Sequence, residues 1–449
     1  MIPAPQMRKT LWLTVLAGVL AAGCATAPGP VEAPVESRQS PPLPQAATPG
    51  TPSSSSPSAP SSSNAPRRPP AASVPAAPTV PAPPSAQVIE AQARALAQEL
   101  LPPAVGRERA GWAADIANAF GALRLAPSVE NVCAAMAIIE QESSFRADPE
   151  VPGLARMAWK EIEARRESHH IPKLALDAAL GKTSPDGRTY RQRIDSLRTE
   201  RQMSLIYSDI IDEVPGGKLL LSGYNPVRTG GPMQVSVAFA QEHAKEKPYG
   251  IALSRELGGD LRNAVFTRRG GLYFGIAHLL DYPAPYREPI HRFADFNAGR
   301  YSSRNAAFQQ ALGRLSGQSL TADGDLLNYE NGAPSSVPSA TLKAVLGLSG
   351  RLRMSGSDIV ASLRLEKTEA FGRTLLYQRL FALADEAAGR PLPREAMPQI
   401  DLKSPKIRSK ITTAWFAERV NMRYRLCLQR ASQPAPPPTA ASAPVRPPF

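Results

Sequence analysis

The chain has 449 residues, 47 of them proline, and a formal net charge of +13 from 52 basic and 39 acidic side chains. No spacing among its five histidines and three cysteines matches a metal-ligand set, so neither a metal nor any other cofactor is expected. Proline, alanine and serine dominate both ends, leaving residues from about 86 to 429, enough for one large domain or two modest ones.

Arg8 and Lys9 precede an apolar run over residues 11–20, which ends in Leu20-Ala-Ala-Gly-Cys24. This is the pattern of a secretory signal of bacterial lipoprotein type. The run is too short to predict a spanning helix. It fits a leader, residues 1–23, cleaved so that Cys24 becomes the lipidated terminus, with Met7 as an alternative start. The other reading is an ordinary secreted protein in which Cys24 happens to follow Gly23. After cleavage the second residue is Ala25 rather than Asp, which by the sorting rule for such lipoproteins points to the periplasmic face of the outer membrane. Several acyl chains on one cysteine anchor stably, as a single chain does not.

Residues 24–87 are rich in Pro, Ala and Ser with almost no bulky apolar side chain, so nothing offsets the entropy of ordering them. They read as a tether reaching roughly 45 Å in the flexible limit and further with proline stiffening, or as a disordered tail without a spacing role. A similar tail, residues 433–449, closes the sequence.

Between these ends the periodicity is helical and strand signals are scarce, so the expected fold class is mainly α. Trp112, Ile116 and Phe120 recur at helical spacing. Ser128 is a candidate N-cap for a following helix that carries Val132, Met136 and Ile139 with small residues between them. Apolar nearly all round, that helix is predicted to be buried. Its far end presents Glu140, Gln141 and Glu142, then Ser143, Ser144 and Phe145. A carboxyl at the end of a buried helix loses solvation, which raises its pKa toward what a general acid needs near neutral pH. Glu167-Ser168 repeats the Glu-Ser pair inside a charged stretch, residues 161–170, and reads as a solvated helix face.

Residues 154–222 are rich in Arg, Glu and Lys with helical periodicity, and Ser184-Pro-Asp-Gly187 marks a turn among them. Next comes Gly230-Gly-Pro-Met-Gln-Val235. Its tandem glycines suit close approach to a ligand, Met233 an adaptable apolar wall, and Gln234 a hydrogen bond to ligand or to Glu142. The plainer reading is a turn entering a helix over residues 235–243. A segment at residues 270–280 places Leu272, Ile276 and Leu279 on one face and reads as a core helix, with His278 a core or edge histidine. Then follows Phe293-Ala-Asp-Phe-Asn-Ala-Gly299.

In this order, Glu142-Ser143, the Met233-Gln234 loop and Phe296-Asn297-Ala298-Gly299 resemble the lysozyme-like core of the lytic transglycosylases over about residues 128–312. The resemblance implies a single catalytic acid, Glu142. It also implies substrate contacts from Ser143, Phe145, Met233, Gln234, Phe296 and Asn297. Pro232 stands where the family has Leu, and Phe296 where it has Tyr, which removes a hydroxyl that touches the acid. The stretch from residue 154 to 222 is an insertion between motifs that relatives hold a couple of dozen residues apart. A lysozyme-like domain over 88–322 is thus expected, with a helical subdomain beside its cleft. Motif order, anchor and extensions together resemble an uncharacterised family of proteobacterial lipoproteins known as a domain of unknown function.

The implied substrate is peptidoglycan glycan strands, cleaved to 1,6-anhydromuramyl ends without a second carboxylate. A lysozyme-type hydrolase would need one to activate water; Glu140, Asp148, Glu150 and Asp295 are the candidates, each with a structural or solvated alternative. A non-catalytic peptidoglycan-binding lipoprotein on the same fold is the remaining reading.

Residues 323–432 read as a helical extension packed on the core, with Phe371, Leu375, Leu376 and Phe381, then Ile411, Trp415, Met422 and Leu426. Lys403, Lys406, Arg408, Lys410, Arg419, Arg423 and Arg425 make its end basic. In an exported protein such charge points to anionic wall material or membrane headgroups before nucleic acid, or to a solvated face without a partner. With Cys24 lipidated, Cys133 and Cys427 remain as a pair that an oxidising compartment allows to bridge; two buried thiols are the alternative.

Overall fold

Side-chain caps set where the first helices begin in the computed structural model, which describes residues 83–213, 225–330, 333–402 and 411–433. The leader, Cys24, nearly all of the tether and the closing tail lie outside the described residues. Ser85 opens α1 (Ala86–Leu100) by accepting from the Val88 amide, and α2 (Arg109–Leu123) packs along it. Ser128 opens α3 (Val129–Ser143), its hydroxyl accepting from the Asn131 amide at 3.2 Å. Val132, Cys133, Met136, Ile138 and Ile139 of α3 are all fully buried, as a helix apolar on every side requires.

The long stretch after α3 supplies α4 (Leu154–Ser168), α5 (Lys173–Leu180), α6 (Tyr190–Asp195) and α7 (Glu200–Glu213). The turn expected at Ser184-Pro-Asp-Gly187 lies between α5 and α6, with Gly187 at φ +85°. Next comes a hairpin of β1 (Thr229–Gly230) and β2 (Val235–Ser236), antiparallel, with Gly230 opposite Val235. It leads into α8 (Val237–Glu246), α9 (Tyr249–Glu256), α10 (Leu261–Val265), α11 (Arg268–Leu280), α12 (Ile290–Ala298) and α13 (Ser302–Ser316).

Beyond α13 lie a second hairpin, β3 (Tyr329–Glu330) and β4 (Ala333–Pro334), and four helices: α14 (Ala340–Gly347), α15 (Ser349–Leu352), α16 (Gly356–Leu363) and α17 (Leu375–Ala388). A third pair, β5 (Asp401–Leu402) with β6 (Ile411–Thr412), leads into α18 (Thr413–Ser432). The fold is mainly helical, its strands among the described residues confined to these short pairs.

Among the described residues, three apolar clusters organise the helices. The main one joins α1, α2 and α3 to α8, α11, α12 and α18. A second forms between α4, α5, α6 and α7, with Val227 and Phe266. The third gathers Phe308 of α13, Phe371 and Phe381 with α14 and α16. The C-terminal extension therefore splits in two: its middle helices bury a core of their own, whereas α18 returns to the main core through Phe416, Val420, Tyr424 and Cys427. There Cys133 of α3 and Cys427 of α18 form a disulfide, their Cα atoms 5.5 Å apart. No helix among the described residues is long and apolar enough to cross a membrane.

Candidate functional site

Glu142 lies in the last turn of α3, and the chain leaves that helix through an unusual turn. Ser144 and Phe145 both take left-handed backbone angles, φ +51° and +58°, which non-glycine residues adopt at a cost. The Ser144 amide donates to the Glu140 carbonyl, and the Arg146 amide to the Ser143 carbonyl, each at 3.1 Å. Phe145 sets its ring edge against Trp112, centroids 5.4 Å apart. Ser143 is buried, and its hydroxyl donates to the Ile139 carbonyl at 3.0 Å. It locks the helix end rather than offering a free hydroxyl to a ligand. Glu142 itself is partly exposed. Burial pushes its pKa up to about 8, and the nearby charge of Glu200 adds to the rise.

Glu200 is absent from the sequence-derived site, and the fold explains how it gets there. The loop after α3 pairs with the segment before α7: the Val151 amide donates to the Arg198 carbonyl at 2.8 Å, and Glu150 bridges Thr199. The Thr199 hydroxyl donates to Asp148 at 3.0 Å. Thr199 and Gln202 also form a reciprocal cap, with Gln202 N to Thr199 Oγ1 at 3.3 Å and Thr199 N to Gln202 Oε1 at 3.2 Å. That cap starts α7 with Glu200 in its first turn, 7% exposed, where the helix N-terminus favours a carboxylate. The long insertion therefore delivers a second acidic side chain to Glu142.

Burial likewise raises the pKa of Asp148, against the opposing pull of its Thr199 hydrogen bond and of Arg201. The Thr199-Glu-Arg-Gln202 string is a capping box legible in the sequence; what it faces is not. Glu200→Gln removes the like charge and should lower the Glu142 pKa while leaving it above the ordinary carboxylate range, because burial is the larger cause. A carboxyl carbon NMR titration showing no downward shift would contradict that coupling.

In the loop at residues 230–235, the two glycines are required by packing within the fold. A Cβ on Gly230 would lie 2.1 Å from the Phe266 ring, and one on Gly231, at φ +73°, 2.1 Å from the Val265 carbonyl. Met233 is fully buried and presses on α11 where Gly275 leaves room, a Cβ there falling 2.5 Å from its sulfur. The apolar wall expected of Met233 is thus turned into the core. Gln234 is part-buried at φ +49° and reaches the Gly231 carbonyl through its side-chain nitrogen at 3.4 Å.

In the Phe296-Asn297-Ala298-Gly299 segment, the Phe296 carbonyl accepts from His278 Nε2 at 3.2 Å, and the two rings lie 5.1 Å apart. Burial pushes the His278 pKa down to about 3, so its ring is neutral. Asn297 accepts at 2.9 Å from the hydroxyl of Thr413, the first residue of α18, so the extension holds this loop. Asp295 is fully buried. It accepts from the Tyr286 hydroxyl at 2.7 Å, the Tyr282 hydroxyl at 3.2 Å, and the amides of Tyr301 and Ser303 at 2.8 and 2.7 Å. It is an anchor for the turn around Gly299, not a group open to a ligand. Asp295→Ala strands these donors and should cost about 2 to 3 kcal/mol in a denaturant melt; an unchanged midpoint would refute this role.

Of the other sequence candidates, Glu150 is exposed and pairs with Arg198 at 3.4 Å. Glu140 contributes its carbonyl to the helix cap. Ile138, Ile139, Met233, Phe145 and Phe296 belong to one apolar cluster, so the three motif segments share a core. Among the described residues no hydrogen bond joins Glu142 to Gln234 or Asn297. Nor is any group of three or more His, Cys, Asp or Glu there arranged to hold a metal.

The family model described as a protein of unknown function (DUF1615) matches residues 106–430. The chain belongs to this family. It is 48% identical over 328 residues to the uncharacterized protein YaiW of Escherichia coli (strain K12), a match spanning 73% of this chain and 87% of that relative. No solved structure matches the chain. The family match contains Glu142, Glu200, both loops, the insertion and both cysteines. The insertion and most of α18 are therefore within the family's own span, not appendages to it.

Proposed function

We propose that this protein is a lytic transglycosylase of the cell envelope, lipid-anchored through Cys24, acting on peptidoglycan with Glu142 on a lysozyme-like helical core. What carries the reading is Glu142 itself: a carboxyl at the end of a buried apolar helix that keeps its proton up to about pH 8. Such a group can protonate the oxygen linking N-acetylmuramic acid to N-acetylglucosamine as that bond breaks. The resulting carboxylate then takes the proton of the muramyl C6 hydroxyl, whose oxygen closes onto C1. Glu142 ends protonated, and the product is a 1,6-anhydromuramyl end.

Glu200, whose charge acts on Glu142, and Asp148, which is held by Thr199 next to Glu200, favour a second reading, a lysozyme-type hydrolase, in which one of them activates water at the spacing of about 6.5 to 9.5 Å that inverting enzymes use. Mass analysis of muropeptides from sacculi digested with the purified protein separates the readings. Anhydro ends support the first, reducing ends the second. Binding without cleavage would leave a non-catalytic peptidoglycan-binding protein.

A further inference from the structure

Helix α18 has two faces of different character. Phe416, Ala417, Val420, Tyr424 and Cys427 are buried in the main core. On the other side Trp415, Met422 and Leu426 are 39, 53 and 49% exposed, and their spacing of seven and then four residues aligns them in one stripe. Cations accompany the stripe. The Arg419 guanidinium lies over the Trp415 ring at 4.8 Å, Arg423 donates to the Arg419 carbonyl at 3.2 Å, and Arg425 is exposed. Arg419 and Arg423 are half-buried, and among the described residues their buried Nε atoms have no hydrogen-bond partner, which leaves only their outer guanidinium nitrogens to face solvent. Met422, Arg425 and Leu426 line a shallow groove with Glu418, the one carboxylate of α18.

A tryptophan, two flexible apolar side chains and several guanidiniums along one exposed helical stripe have the chemistry of an interfacial helix. Indole rings settle at the headgroup level, and arginines gain from an anionic surface. Three apolar side chains are too few for a stable protein interface, which buries roughly 800 Å² per partner, whereas a bilayer requires no matching groove. The chain's net charge of +13 adds long-range attraction of the same sign. We propose that the outward face of α18 docks on an anionic phospholipid bilayer, with Trp415, Met422 and Leu426 seated at the headgroup boundary and Arg419, Arg423 and Arg425 meeting phosphates. The proposal is independent of the catalytic reading.

The test uses the mature chain, residues 24–449, with Cys24→Ser in every arm, so that neither an acyl group nor the apolar leader contributes. Sedimentation with phosphatidylglycerol vesicles should show salt-sensitive binding. That binding should fall about tenfold or more in the variant Trp415→Ser/Met422→Ser/Leu426→Ser and in Arg419→Gln/Arg425→Gln, with weak binding to neutral phosphatidylcholine vesicles throughout. Unchanged binding in both variants overturns the proposal, as does equal binding of the parent to neutral vesicles. A parent that ignores vesicles but binds sacculi through these residues also overturns it, in favour of an anionic wall polymer. Thermal melts and an intact Cys133–Cys427 bridge verify folding. If the multiple variants melt early, Met422→Ser and Arg425→Gln alone, at exposed positions, decide by the same readout.

Discussion

Glu142→Gln should release muropeptides from sacculi about 10² to 10⁴ times more slowly than the parent, the range that one general acid supplies, and it should be the more stable protein at neutral pH. Both effects come from the same displaced proton equilibrium. The folded carboxyl titrates near pH 8 against an ordinary value of 4.5. The unfolded chain therefore sheds this proton first as pH rises, and stability present below about pH 4.5 drains away until the folded group also ionises near pH 8. Glutamine has no proton to lose.

At pH 7 the variant should gain on the order of 2 kcal/mol, allowing for the partial exposure of the side chain. Near pH 4 the gain should vanish. Paired denaturant melts at the two pH values check the linkage, and muropeptide mass analysis checks the chemistry. Normal product release by a folded Glu142→Gln protein would remove Glu142 from the mechanism. A stability difference independent of pH would show that its carboxyl is not held protonated.

Removing the disulfide is the second large perturbation. The bridge joins Cys133 and Cys427 across a sequence separation of 294 residues, so it constrains nearly the whole folded chain in the unfolded state. Cys133→Ala/Cys427→Ala should lose about 3 to 5 kcal/mol, and the parent should fall to a similar midpoint under reductant. The consequence reaches the site, because Cys133 sits on the helix that ends in Glu142, and Thr413 at the start of α18 holds Asn297. Loosening α18 therefore frees both segments, and activity should become sensitive to reductant before global unfolding. Equal midpoints with and without reductant would mean that packing alone seats α18.

Much of the helical architecture was legible because its causes are local. Ser128 caps α3 through an amide three residues away, and the apolar surround of that helix predicts its burial from the string alone. The pairing of Met233 with Gly275 is different in kind. Those residues lie far apart in sequence, and only contact shows that the glycines of the 230–235 loop answer to Phe266 and Val265. Asp295 reads in the sequence either as a water-activating acid or as a structural one, and only its four donors, from segments that the turn itself brings together, favour the structural role.

The sequence by itself determined a mainly helical chain, a carboxyl at the end of a buried helix and a pair of cysteines, because periodicity, capping and composition act over a few residues. Only the tertiary structure decided that Glu200 from the insertion stands beside Glu142. It alone decided that α18 closes the main core while the helices before it build another, and that Ser143 and Met233 serve the fold. Each of these depends on which distant surfaces exclude water together, and that is a property of the packed chain rather than of any window of sequence.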